Sequence, residues 1–139
     1  MKMINKLRLL WGFLCIFIIV PVTSQTQPEA YRLYDGKGRV VDYDQLVKTI
    51  AKVDVVFIGE IHNCAITHWL ELKLLDSLYK IHGKKLKVGM EMFESDNQLI
   101  LDEYLHGQIT GDRFEEEMRL WPNYSTDYAS LISYARDHN

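Results

Sequence analysis

Apolar residues follow two different spacings along this chain. Between residues 65 and 82 they recur three to four positions apart, which is typical of one face of an α-helix. Compact apolar runs at 53–58 and 86–92 flank this segment, and such runs predict strands that are covered on both faces. The three segments together predict a strand–helix–strand unit with parallel strands and a right-handed crossover.

The segment before this unit carries turn and helix signals. An Asp-Gly pair at 35–36 lies between two short apolar stretches and predicts a hairpin over residues 31–41. The spacing of apolar residues predicts a short helix over 42–52. Either Asp42 or Asp44 is suited to its N-terminus, where an acidic side chain accepts backbone N–H groups.

The segment after this unit is predicted to be helical. Ser95, followed three residues later by Gln98, fits a capping box that begins one helix. A second helix is predicted over 114–120. A third is expected to begin at a cap formed by Ser125 or Thr126.

The N-terminus has the pattern of a secretory signal peptide. Lys2, Lys6 and Arg8 precede a nearly continuous apolar run over 9–22. This run of about 14 residues is shorter than the roughly 20 that a membrane-spanning helix needs, so a membrane anchor is the weaker alternative. We therefore expect residues 1–24 to be a signal peptide, and we expect the protein to be exported.

The elements predict the fold class of the remaining chain. Strands that alternate with helices are typical of an α/β domain with three layers and a parallel β-sheet core. Two parallel strands do not make a self-sufficient sheet, because such sheets need several strands and cover on both faces. We therefore expect residues 25–139 to be the N-terminal portion of a larger, truncated domain.

Composition narrows the classes of function. Hydrophobic residues make up 47% of the chain and charged residues 25%, which are values of a globular protein. The formal net charge is −3. Nucleic-acid binding usually requires a basic face, so we expect no nucleic-acid partner.

Candidate chemistry lies where the two predicted strands end. Glu60 and His62 follow the first strand, and Glu91 lies at the end of the second. Adjacent parallel strands lie about 4.8 Å apart, so these side chains are expected to share a crevice. A histidine with carboxylates suits either a divalent metal or general acid–base catalysis. In the simpler alternative, Glu60 caps the next helix and His62 binds a loop carbonyl.

Aromatic residues form a second candidate site near the C-terminal helices. Trp121, Tyr124 and Tyr128 are close in sequence and, with His62, are candidates for a haem-binding slot. The simpler alternative is that these aromatic side chains only pack the helices together.

Several motifs carry a resemblance to a known family. They are Gly59-Glu60-Ile61-His62, Gly89-Met90-Glu91-Met92-Phe93 with Gln98, Leu101-Asp102-Glu103-Tyr104-Leu105-His106-Gly107, and Leu120-Trp121-Pro122 with Tyr128, Leu131 and Ala135. In combination they resemble the ChaN-like haem-binding uptake family of the Tiki superfamily, over residues 50–139.

The resemblance implies an exported bacterial protein of the periplasm or cell envelope that binds haem for iron uptake. Haem is then the ligand, and outer-membrane uptake machinery and a second copy of the chain are candidate partners. The wider superfamily includes metal-dependent hydrolases, so enzymatic activity stays open as the alternative. In that alternative, Glu60, His62 and Glu91 are the catalytic residues and the ligands of a divalent metal.

Overall fold

Helices dominate residues 29–139, the part of the chain that the computed structural model describes. The predicted signal peptide, residues 1–24, lies outside this part. The strands and α-helices are, in chain order, β1 (Leu33–Tyr34), β2 (Val40–Val41), α1 (Tyr43–Ile50), α2 (Ala65–His82), α3 (Gln98–Leu105), α4 (Gly111–Glu117) and α5 (Ala129–Asp137). Short 3-10 turns at Gly83–Lys85 and Ser95–Asn97 and a π-helical turn at Tyr124–Tyr128 complete the helical segments.

The predicted hairpin and first helix are confirmed. Strands β1 and β2 pair antiparallel, with Leu33 opposite Val41. The side chain of Asp42 accepts a hydrogen bond from the backbone N–H of Gln45 at 2.6 Å, so Asp42 caps α1. The hairpin therefore leads directly into a capped helix.

The long helix α2 is also confirmed, with the bounds that its apolar spacing predicts. It ends at Gly83, whose φ of 56° lies in the left-handed region that glycine adopts without a steric cost. Helix α1 is joined to α2 by a hydrogen bond of 2.9 Å between the hydroxyls of Tyr43 and Ser77.

The caps predicted for the later helices are wrong. The α-helix α3 begins at Gln98, after the 3-10 turn, and no side chain caps it. Ser125 and Thr126 both lie inside the π-helical turn, where backbone bonds already use the N–H groups that a cap would satisfy. Helix α4 begins earlier than predicted, because Thr110 caps it by accepting from the N–H of Arg113 at 3.3 Å.

The two predicted parallel strands are not formed. Within residues 29–139, the segments 53–58 and 86–92 are neither helix nor strand, and the hairpin is the only sheet. All side chains of 53–58 are exposed, Phe57 by 94%, and in 86–92 Val88 is 53% exposed whereas Met92 is buried. A strand needs a neighbouring strand to pair its backbone groups, and neither segment has one here. The predicted parallel sheet core is therefore absent from the described residues.

The core lies among the C-terminal helices instead. Phe114 and Tyr128 are its most deeply buried large side chains, with exposures of 1% and 0%. The other buried members of this cluster are Met92, Tyr104, Met118, Tyr124, Leu131 and Ile132. Helix α2 packs against this core through α5 and the π-helical turn. This packing brings the N-terminal end of α2 close to Tyr128.

Candidate functional site

Glu60 lies at the centre of the candidate site, in the loop that leads into α2. Its side chain is only 12% exposed. The Oε1 atom accepts a hydrogen bond from the hydroxyl of Tyr128 at 2.7 Å and is 2.8 Å from Nδ1 of His62. A carboxylate oxygen accepts, so the imidazole donates from Nδ1. Two donors, one two residues away and one in the π-helical turn, thus fix the orientation of this carboxylate.

His62 occupies the solvent-facing side of the site. Its side chain is 50% exposed. Because Nδ1 donates to Glu60, the neutral ring carries its lone pair on Nε2, and no group in residues 29–139 forms a hydrogen bond with that nitrogen. Trp121 lies edge-on to the imidazole, with ring centroids 4.9 Å apart. The site therefore presents an oriented, available nitrogen beside an aromatic surface.

The backbone of His62 is also held by hydrogen bonds. Its carbonyl oxygen accepts from Nδ2 of Asn123 at 2.9 Å and is 3.1 Å from Nε2 of His68. The same Asn123 amide donates to Asp127 at 2.8 Å. These contacts tie the loop before α2 to the π-helical turn, so the position of His62 depends on both.

A second histidine lies on the inner side of the site. His68, on the first turns of α2, is 4% exposed, and its ring lies edge-on to Tyr128 at 4.9 Å between centroids. Its Nδ1 is 3.2 Å from Oε2 of Glu60 and 3.3 Å from Oε2 of Glu71. Glu60, His68 and Glu71 offer ligand atoms that all lie within 4.8 Å of one another.

The charges of this cluster influence one another. Burial opposes ionisation of Glu60, but the hydrogen bonds from Tyr128 and His62 outweigh it and lower the pKa of this carboxyl. Burial raises the pKa of Glu71, and the adjacent charge of Glu60 raises it further. Burial opposes protonation of His68, but its bond to the His62 carbonyl and the two carboxylates outweigh burial and raise its pKa.

The structure brings only part of the predicted site together. Glu60 and His62 are in contact, as the shared crevice requires. Glu91 lies in an exposed turn, and no hydrogen bond or ion pair joins it to either residue within 29–139. Its predicted approach to Glu60 depended on two parallel strands, and the segments that were to form them are unpaired.

The three aromatic candidates lie at different depths. Trp121 contacts His62 directly. Tyr128 is fully buried and reaches the site through its hydroxyl on Glu60. Tyr124 is 6% exposed, and burial raises its pKa to about 12. Roles for these residues at haem stay predictions, and Trp121 is the one whose ring lies against the imidazole of His62.

Sequence reasoning missed the inner half of the site. Neither His68 nor Glu71 is among the residues that the sequence predicts for the site. A helical spacing of three residues places both on one face of α2, immediately after Glu60. That spacing was the available signal, although it does not by itself indicate that the loop folds back onto the helix.

A cavity of about 340 Å³ lies elsewhere, beside the hairpin and the residues that precede it. Neither Glu60 nor His62 lines it. This cavity is therefore separate from the candidate site.

Comparison with known proteins identifies the family. Residues 46–139, more than half of the chain, match the family described as "Haem-binding uptake, Tiki superfamily, ChaN". The chain belongs to this family, which confirms the resemblance inferred from its motifs. No match was found among curated proteins or among solved structures. Among residues 29–139, no helix has the length and apolar character needed to cross a membrane.

Proposed function

We propose that this protein binds haem and that it is exported to the periplasm or cell envelope to serve haem and iron uptake. Membership of a haem-binding uptake family supports the ligand. The observation that carries the proposal is His62, a half-exposed imidazole whose Nδ1 is bound by Glu60. Its Nε2 is free to ligate, and histidine is a common axial ligand of haem iron.

The residues around His62 fit this role. Histidines that bind a metal usually donate their other nitrogen to a carboxylate, which orients the ring and raises its basicity. Glu60 supplies that carboxylate, and Tyr128 holds it in place. Trp121 provides an aromatic surface next to the imidazole. In this proposal His62 is the iron ligand, Trp121 contacts the porphyrin, and Tyr128 acts through Glu60.

Haem titration of the purified protein tests the proposal. The wild-type chain should shift the Soret band and saturate at a fixed stoichiometry. His62→Ala should weaken binding by more than about tenfold, since the loss of outer-shell partners alone costs about 10- to 100-fold at metal sites. His82→Ala, an exposed histidine at the far end of α2, is the matched control and should bind like wild type.

Two results would contradict this assignment. Absence of saturable binding by the wild-type chain would remove the proposed function. Equal binding and an equal Soret position in wild type and His62→Ala would remove His62 as the ligand.

Export is proposed from the charged start and apolar run of residues 1–24. Outer-membrane uptake machinery and a second copy of the chain are the proposed partners, and no nucleic acid is expected. Expression of the full chain followed by cell fractionation and N-terminal sequencing should recover a shortened protein in the envelope fraction. A full-length protein in the cytoplasm would contradict export.

A three-layer α/β domain with a parallel sheet is the proposed architecture of the larger protein of which residues 25–139 would be a part. Support comes from segment 53–58, where Val55 is 65% and Phe57 is 94% exposed. Apolar residues this exposed favour cover by neighbouring strands and helices. In a longer protein, backbone amides of 53–58 should exchange hydrogen slowly. Exchange as fast as in an unstructured peptide would contradict the sheet.

A metal-dependent hydrolase is the second candidate function, with Glu60 and His62 as catalytic residues and with Glu91 joining them only in a fold in which segments 53–58 and 86–92 pair. The contact between His62 and the Glu60 carboxylate favours it, because such a pair suits general acid–base catalysis. A co-purifying divalent metal and a hydrolytic activity, both lost in His62→Ala, are the expected results. If His62→Ala leaves metal and activity unchanged, this candidate is excluded.

A further inference from the structure

Three atoms with lone pairs converge on the inner side of Glu60. Oε2 of Glu60 and Oε2 of Glu71 lie 3.2 and 3.3 Å from Nδ1 of His68. Two ligand atoms that each lie about 2.1 Å from one metal ion are roughly 3.0–3.4 Å apart. The two distances to Nδ1 therefore lie within the range expected for ligands of one metal ion, and all three atoms lie within 4.8 Å of one another.

A contact on the opposite edge of the His68 ring shows which ring nitrogen is protonated. Nε2 is 3.1 Å from the carbonyl oxygen of His62, and a carbonyl only accepts, so Nε2 carries a proton. In the neutral ring, Nδ1 then directs a lone pair at two carboxylates. A cation close to the three atoms, either a proton or a metal ion, would offset this concentration of negative charge.

The distances are compatible with a metal ion. A charge-assisted N–H···O bond is about 2.7–2.9 Å long. Both carboxylate oxygens are farther than that from Nδ1, at 3.2 and 3.3 Å, so one shared proton would make two long bonds. A divalent cation at the centre would be bound by all three atoms at once.

Outer contacts already orient the three side chains. Oε1 of Glu60 is engaged by Tyr128 and His62, which leaves Oε2 directed to the cluster. His68 donates to a backbone carbonyl, which is the usual second contact of a metal-binding histidine. The side chains of Glu60, His68 and Glu71 are 12%, 4% and 13% exposed, so the ligands are largely shielded from water.

We propose that Glu60, His68 and Glu71 form a site for a divalent transition-metal cation, such as Zn²⁺ or Mn²⁺. One imidazole nitrogen with two carboxylate oxygens suits these ions, whereas Mg²⁺ prefers oxygen ligands alone. Three protein ligands leave positions open for water. The site goes beyond haem binding, because it leaves Nε2 of His62 free.

Calorimetric titration of the metal-stripped protein with Zn²⁺ and Mn²⁺, without haem, tests this site. The wild-type chain should bind one ion of at least one of the two metals. Glu71→Gln keeps the size of the side chain and should weaken that binding by more than about 100-fold, beyond what outer-shell losses cost. Glu103→Gln, a partly exposed glutamate on α3, is the matched control and should bind like wild type.

Several outcomes overturn the proposal. The proposal is overturned if neither metal binds saturably. It is also overturned if binding survives in Glu71→Gln. Mg²⁺ binding as tight as that of Zn²⁺ or Mn²⁺ would contradict the mixed ligand set. Circular dichroism of both variants should match wild type, and ¹⁵N NMR of His68 should show Nδ1 shifting when metal is added. If Glu71→Gln is misfolded, an unshifted Nδ1 in the wild-type chain still overturns the site.

Discussion

Two regions of this protein contain many large apolar side chains but differ in how far these are buried. Between residues 92 and 132, helices α3 to α5 bury their large side chains, with Phe114 at 1% exposure. In residues 53–61, Phe57 is 94% and Ile61 is 73% exposed. The helical region forms the core that supports Tyr128 and the candidate site, whereas residues 53–61 contribute no side chain to this core.

Hydrogen bonding explains the difference. A helix satisfies its backbone groups internally, so short helices need only pack their apolar faces against each other. A strand needs an adjacent strand for every backbone pair, and residues 53–58 have none among those described. An apolar run therefore predicts that a segment is suited to burial, but it does not supply the partner that buries it.

The largest effect on stability is expected for one of two phenylalanines, the buried Phe114 rather than the exposed Phe57. Phe114→Ala should lower the free energy of unfolding by about 3–5 kcal/mol, because it empties a buried site in the core. Phe57→Ala should change it by less than about 0.5 kcal/mol, as exposed substitutions do. Urea denaturation of both variants measures the difference. Losses of similar size would show that residues 53–58 are buried in solution.

Two tyrosine hydroxyls test whether the core and the site are coupled. Tyr128→Phe removes a donor to the Glu60 carboxylate at 2.7 Å and should cost about 1.5–3 kcal/mol, as hydrogen bonds to charged groups do. Tyr134→Phe removes a longer bond of 3.1 Å to Asp76, whose side chain is 35% exposed, and should cost less. Urea denaturation compares them, and an equal cost for both would contradict a special role of Tyr128.

The smallest effect is expected at the surface of the helical region. Arg119 donates to Glu94 at 2.8 Å and to Asp96 at 2.7 Å, but all three side chains are mostly exposed. Exposed ion pairs contribute little, and salt screens them. Arg119→Ala should leave the urea midpoint nearly unchanged at high salt. A loss as large as that of Tyr128→Phe would show that the helical region depends on this contact.

Local signals in the sequence predicted the elements that are stabilised locally. Helix α2 has the bounds predicted from its apolar spacing. The hairpin followed from its Asp-Gly turn. The prediction of strands at 53–58 and 86–92 was wrong for the described residues. The formation of a strand depends on pairing with another strand, which no local signal contains.

Only part of the candidate site could be predicted from the sequence, for the same reason. Glu60 and His62 are two residues apart, so their contact needs no distant part of the fold. The approach of Glu71 and Tyr128 to Glu60 depends on how α2 packs against the π-helical turn. Tyr128 was recognised as a candidate from its aromatic neighbours, but its role as a hydrogen-bond donor to Glu60 could not be read from the sequence.

We expect His62, held by Glu60, to bind haem iron through Nε2. A crystal structure of the haem-bound protein, with anomalous scattering recorded at the iron edge, measures this directly. An iron peak is expected at bonding distance from Nε2 of His62, with Nδ1 still on Glu60. An iron peak bonded to another side chain, with His62 unligated, would contradict it.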